Sequence, residues 1–312
     1  MLKITTKNGE KMLAFRKIVL EDKPCFDRIL DIMQPEISDL TFTNLLMWQC
    51  NYGLLVSYLK DLDYWLLMAK PPHPKWKPFF LPPVGDWGDQ KGLIKVYRLM
   101  EEIALAEKFT FQLRRVPRSL ASGLCRINPK LSTKLEKNTS DYLYATSDLI
   151  DLAGRKYHSK RNHLNKFLRQ YNWEYQTMTP EIVAECLDIK SPWFDVVDPV
   201  PCTENEAMAI LLKKFDFLGV TGGVIRVDGV IQSLTVGERL NRNTAVIHIE
   251  KANTDYDGAY AAINHEFVVR EWSDLEFINR EEDMGIAGLR KAKQSYYPVR
   301  MVEKFTVAVD PV

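Results

Sequence analysis

The 312-residue chain is short of several things, and each shortage closes a class of explanation. No window approaches the roughly 18 uninterrupted apolar residues of a membrane-spanning helix, and the opening Met1-Leu-Lys-Ile-Thr-Thr-Lys7 lacks the apolar stretch of a secretion signal. Neither a spanning segment nor export is expected. Lys plus Arg number 42 against 41 Asp plus Glu, a net charge of +1, so any contact with nucleic acid or membrane has to come from a local patch. The five cysteines, Cys25, Cys50, Cys125, Cys186 and Cys202, are odd in number, scattered and never spaced C-x-x-C, which argues against a zinc module and a secreted disulfide framework. A reducing cytoplasm fits that usage. With five histidines and no third ligand at useful spacing from His248-x-Glu250, no metal is expected either. What remains is ordinary for a folded soluble protein: 46% hydrophobic and 27% charged residues, in a length that suits two domains of about 150 residues.

The most informative stretch is the last quarter. Ala245-Val-Ile-His-Ile-Glu-Lys-Ala252 and Glu276-Phe-Ile-Asn-Arg-Glu-Glu-Asp-Met-Gly285 read as strands with ionisable groups among apolar ones, and Gly258 to Trp272 between them has helical spacing. A parallel strand pair with a crossover helix follows from that order. Across the whole chain the order β, α, α, β, β, β, α, β, α, β is expected twice, in residues 1–150 and again in 151–312. The expected fold class is therefore α/β (α+β), two mixed twisted sheets flanked by helices. The order resembles that of the GNAT acyltransferase fold, whose fourth and fifth strands splay apart to admit an acyl carrier.

Strict alternation puts His248 and Glu250 on one face of their strand and Asn279 and Glu281 on one face of theirs, so the four are expected to converge as a general base and an amine-recognising carboxylate. The bland alternative is that Glu250, Lys251, Arg280 and Glu282 are paired charges that hold two strands together. Tyr296 or Ser295, beyond the second strand, is a candidate general acid; Lys251, Arg280, Arg290 and Lys293 are candidate substrate-binding cations. A basic helix is expected over 155–169, with Arg155, Lys156, Lys160, Arg161, Lys166 and Arg169 in it. Lys156, His158, Lys160, Arg161 and Asn162 are its candidate contacts to a phosphate-bearing donor, against the reading of a solvated linker face.

The motifs Ser38-Asp-Leu-Thr-Phe-Thr-Asn44 with Trp48, Asp141-Tyr-Leu-Tyr144, Lys156-Tyr-His-Ser-Lys-Arg-Asn-His-Leu-Asn165, His248-Ile-Glu-Lys251 and Ile278-Asn-Arg-Glu-Glu-Asp-Met-Gly285, running into Gly288-Leu-Arg-Lys-Ala-Lys-Gln-Ser-Tyr296, span nearly the whole chain. In them the chain resembles the family of the C-terminal domain of phosphatidylglycerol lysyltransferase, in a stand-alone form. The resemblance implies a tandem GNAT-like fold and transfer of an aminoacyl group from a charged tRNA, with a small-molecule, lipid or peptide acceptor left open. Acetyl-CoA enzymes of the GNAT fold carry R/Q-x-x-G-x-G/A after the fourth strand, where amides cradle the pyrophosphate. Here that turn is Asn253-Thr-Asp-Tyr-Asp-Gly258, whose Asp255 and Asp257 repel a pyrophosphate, so an aminoacyl-tRNA is the better carrier. The competing expectation is a non-catalytic module of the same fold that binds an amino acid or a peptide terminus.

Overall fold

The computed structural model describes residues 2–5, 12–73, 75–189 and 203–309. The chain forms two compact units, Met1–Ser140 with Val302–Val312, and Asp141–Met301.

In the first unit a six-stranded sheet runs in the order Leu54–Leu59, Tyr64–Ala69, Phe79–Phe80, Gln112–Pro117, Lys304–Val309, Leu131–Leu135. The helix Gln90–Ala106 forms between the two parallel strands because apolar residues recur every three or four positions, and it buries Leu93, Val96, Tyr97, Met100 and Ile103. Asp89 caps its first turn by accepting from the Lys91 amide.

The second unit holds a seven-stranded sheet in the order Arg300–Val302, Asp141–Ala145, Phe277–Asn279, Thr244–Ala252, Val230–Asn241, Thr221–Val227, Trp173–Thr177. The expected parallel pair is present: Thr244–Ala252 and Phe277–Asn279 meet at Thr244 and Phe277, Ala245 and Ile278, Val246 and Asn279, with the helix Ala259–Glu271 between them in sequence. Past Val246 the longer strand continues to Ala252 while the shorter one ends at Asn279, so the two part. The core gathers Tyr144, Tyr157, Phe167, Ala245, Ile247, Ala262, Ile263, Phe267 and Ile278 on the helix-covered face.

Two expectations are corrected here. Asp141–Ala145, expected to close the first half, lies in the second sheet, and the last strand, expected in the second half, pairs with Gln112–Pro117 and Leu131–Leu135 of the first. Alternation shows which face of a strand is buried but not which distant strand accepts its hydrogen bonds, so a linear cut at 150 was the wrong division. Cys25, Cys125 and Cys186 are free thiols.

Candidate functional site

The expected convergence of His248 with Glu250 fails because the strand is not regular. Val236 pairs with Ile249 and Gly237 with Ile247, so His248 is the extra residue of a β-bulge. Gly237 permits it: a Cβ there would stand 2.4 Å from the Val246 carbonyl oxygen. Directly paired residues share a face, so Glu250 lies on the side of Thr235 and Val246 on the side of Glu238. Thr235 and Glu238 are three apart and point oppositely. The ionisable groups thus divide into two clusters on opposite faces of the sheet.

On one face the His248 side chain is fully buried between two carboxylates, with Nδ1 2.9 Å from Glu281 and Nε2 2.9 Å from Glu238. Burial by itself pulls the imidazole's pKa down, but the hydrogen bonds to Glu238 and Glu281 and their charges outweigh it and raise the value to about 10. A doubly donating imidazolium has no lone pair to offer, so His248 is not a general base at neutral pH. Asn279, fully buried, donates to Asp141 at 3.1 Å and accepts from the Glu281 amide at 2.8 Å, which fixes the turn where Glu281 sits at φ 53°.

The helix-covered face carries the other cluster. Arg280 Nη2 donates to Glu250 at 2.7 Å, and Asn264 of the crossover helix donates to the other Glu250 oxygen at 3.0 Å. The Arg280 side chain is 12% exposed, and among the described residues its Nη1 finds no acceptor. The guanidinium stands 5.0 Å from the Tyr296 ring centre and 5.7 Å from that of Tyr144. Lys160, from the helix His158–Gln170, reaches the Tyr296 ring at 4.1 Å. Burial first, and then the Arg280 charge, push its pKa down to about 8, against the pull of Glu250. Burial is also the main reason that Tyr296 is pushed up to about 12, so the phenol keeps its proton.

The other candidates are engaged elsewhere. Lys293 donates to the Arg280 carbonyl at 2.6 Å and to that of Glu282, bracing the turn after Asn279; burial lowers its pKa. Arg290 forks onto Asp283 at 2.7 and 2.9 Å, where Tyr142 also donates at 2.6 Å, and the Arg290 partnership holds the Asp283 carboxyl down at about 2. Lys251 pairs with Glu204 at 2.6 Å on the face away from Glu250. On the basic helix Arg161 turns inward to the carbonyls of Leu152 and Gly154, the first of which ends the helix Thr146–Asp151. Lys156, His158 and Asn162 stay exposed, Lys156 within 3.5 Å of Asp148 and 4.7 Å of the Tyr157 ring centre, and His158 3.1 Å from Asn162. A shallow open groove follows this face, lined by Asn162, Lys166, Arg169 and Gln170.

The turn after Ala252 has a role that its acidic residues did not announce. Asp257 accepts from Lys166 at 2.6 Å, with His163 at 3.3 Å. Gly258, at φ 91°, lies so close to the basic helix that a Cβ would stand 2.3 Å from the His163 carbonyl oxygen. This glycine lets two helices meet. Sequence reading missed Glu238, Asn264 and Tyr144. Glu238 and Tyr144 interrupt apolar strands and Asn264 an apolar helix face, which is a legible signal for each, but their partners are set only by the bulge and the sheet order.

The family profile described as phosphatidylglycerol lysyltransferase, C-terminal, matches residues 30–308. A conserved protein of unknown function from Bacteroides thetaiotaomicron is 35% identical, with a TM-score of 0.86 over 96% of this chain and 100% of that one. L-PGS from Bacillus licheniformis, 12% identical, superposes with a TM-score of 0.66 over 93% of each chain, a likeness of fold. An uncharacterized protein of Mycoplasmoides gallisepticum is 25% identical over 183 residues; the match covers 56% of this chain and 58% of that relative's length.

Proposed function

The chain belongs to the phosphatidylglycerol lysyltransferase C-terminal family, with the tandem GNAT-like fold, and we propose that it takes an aminoacyl group from a charged tRNA and passes it to an amine or hydroxyl acceptor. The observation that carries this reading is the cluster of Glu250, Arg280 and Tyr296 beside the parting strands, the place where this fold admits an acyl carrier. In the transfer the acceptor attacks the ester carbonyl, a new bond to carbon forms and the bond to the ribose oxygen breaks. Glu250 is the carboxylate placed to take the acceptor's proton, and Tyr296, held protonated, gives one to the leaving ribose oxygen.

Two further observations support a tRNA rather than acetyl-CoA as donor. The N-terminus of the helix Ala259–Glu271, where a pyrophosphate would have to sit, is packed against the basic helix at Gly258 and is preceded by Asp257. The outer face of that basic helix carries an open groove lined by Lys166 and Arg169, with Lys156 exposed on the turn before it, which suits a phosphate backbone. A donor of this kind puts the protein in the cytoplasm.

A second reading has one observation in its favour. Both oxygens of Glu250 are already held, by Arg280 and Asn264, as in a binding site without turnover. Incubating the protein with charged tRNAs and amine or hydroxyl acceptors, and following the labelled aminoacyl group, separates the two. Transfer that falls about 100-fold or more in Tyr296→Phe, with tRNA affinity kept, is the expected result. A tightly held free amino acid with no transfer from any charged tRNA would establish the binding module instead.

A further inference from the structure

We propose that the first unit carries a docking surface for an anionic lipid membrane, built around Trp76 and Leu105 and the lysines beside them. The surface belongs to the first unit alone, so it stands whether or not the transferase reading of the second does. Its starting point is the loop Lys70-Pro-Pro-His-Pro-Lys-Trp-Lys-Pro78, which joins Tyr64–Ala69 to Phe79–Phe80 and contains no Asp or Glu. Trp76 is 51% exposed there, between the exposed Lys75 and Lys77. Its amide donates to the His73 carbonyl at 3.0 Å, and the two ring centres stand 6.0 Å apart, so a tight turn rather than a core holds the indole. Pro71, Pro72 and Pro78 stiffen the loop, which lowers the entropy lost when it docks.

Leu105 joins it from the neighbouring connection. The helix Gln90–Ala106 buries Leu93, Val96, Met100 and Ile103, yet Leu105 is 65% exposed, and Lys108 beyond it is exposed as well. Phe79–Phe80 and Gln112–Pro117 are parallel, so the loop before the first and the connection before the second open at the same end of the sheet. Lys70 pairs with Glu107, and the Gln112 side-chain amide donates to the Pro78 carbonyl at 3.1 Å, which ties the two segments together. Glu107 is thereby neutralised, and Lys75, Lys77 and Lys108 surround two apolar side chains. In a chain of net charge +1 this positive charge is local. An anionic lipid surface fits both parts, because headgroups attract the lysines while an indole and a leucine gain from entering the interface. A nucleic acid would use the lysines and the indole face but offers nothing to an aliphatic side chain. No helix among the described residues is long and apolar enough to cross a membrane, so the contact is one of docking.

The test mixes the full chain, without tRNA, with vesicles of phosphatidylcholine alone or of phosphatidylcholine and phosphatidylserine, and measures co-sedimentation at low and high salt. Binding to the anionic vesicles only, lost at high salt, is expected. Lys75→Ala and Lys77→Ala should each weaken it about fivefold, and Trp76→Ala about tenfold. Lipids brominated in their acyl chains should quench tryptophan fluorescence in the wild type and not in Trp76→Ala. All three side chains are exposed, so these variants should fold, and a thermal melt checks that. Binding that ignores headgroup charge, or binding and quenching unchanged in Trp76→Ala, would overturn the surface. No vesicle binding would overturn it too; polyuridine held by the wild type and released by Trp76→Ala would then assign the loop to single-stranded RNA. Vesicle binding with no transfer from any charged tRNA would sink the transferase reading and leave this surface standing.

Discussion

His248 shows how far one side chain's surroundings can reverse its expected role. Its fully buried ring bridges Glu238 and Glu281, and its folded pKa of about 10 lies above the 6.5 of an ordinary histidine. The folded state therefore binds a proton that the unfolded chain releases between those values. The resulting stability is fully present below the unfolded pKa and is lost as pH rises through the folded one. Unfolding by urea should show wild-type stability falling from pH 7 to pH 10, by an amount on the order of a few kcal/mol. His248→Gln should lower stability at pH 7 by about 3 kcal/mol, since two partly buried carboxylates then face each other without a cation. It should also flatten the decline; an unchanged decline in that variant would show that another group titrates there.

Between elements, the turn at Gly258 and the basic helix carry separable tasks. Gly258→Ala adds a Cβ 2.3 Å from a backbone oxygen at φ 91°, so it should cost about 1–3 kcal/mol in a thermal melt by forcing the two helices apart. On the helix, the outward and inward cations should behave differently. Lys156→Ala with Arg169→Ala should weaken tRNA binding and flatten its log-log salt dependence, each lost phosphate contact on a duplex removing about 0.9 from the slope. Arg161→Ala should instead lower stability while leaving that slope alone, because its guanidinium caps the carbonyls of Leu152 and Gly154. Equal effects of the two changes on salt dependence would return the whole helix to a single phosphate-tracking role. The basic composition of this helix is plain in the sequence; the division of labour within it comes from which residues the preceding turn and the Tyr296 ring draw inward.

At the scale of the whole molecule, the last strand belongs to the unit in which the chain begins. Lys304–Val309 lies between Gln112–Pro117 and Leu131–Leu135, and the buried Lys304 ammonium pairs with Asp39. Deleting residues 303–312 should remove the cooperative unfolding of the first unit, since it cuts Leu131–Leu135 off from the rest of the sheet and strips out Phe305 and Val307, worth about 1.5–3 kcal/mol each. The segment 141–302 keeps every strand of the seven-stranded sheet and should retain its circular dichroism when expressed alone. Limited proteolysis of the truncated chain should then cleave within residues 12–140 first. Resistance there equal to that of the full chain would refute this dependence on the last strand.

The sequence by itself determined much of the local structure: the period of 3.6 over residues 92–108, the short strands with interspersed charges, and the crossover between two parallel strands. Those features depend on neighbours within a few residues, which a linear reading sees. It also placed the charged groups at the parting strands, because ionisable residues in apolar strands are too costly to be incidental. Tertiary structure alone decided which of them meet. One bulged residue beside Gly237 sends His248 and Glu250 to opposite faces, and a strand 164 positions beyond Ser140 returns to complete the first sheet. Both outcomes turn on hydrogen-bond register between distant segments, which leaves no periodic trace in the chain.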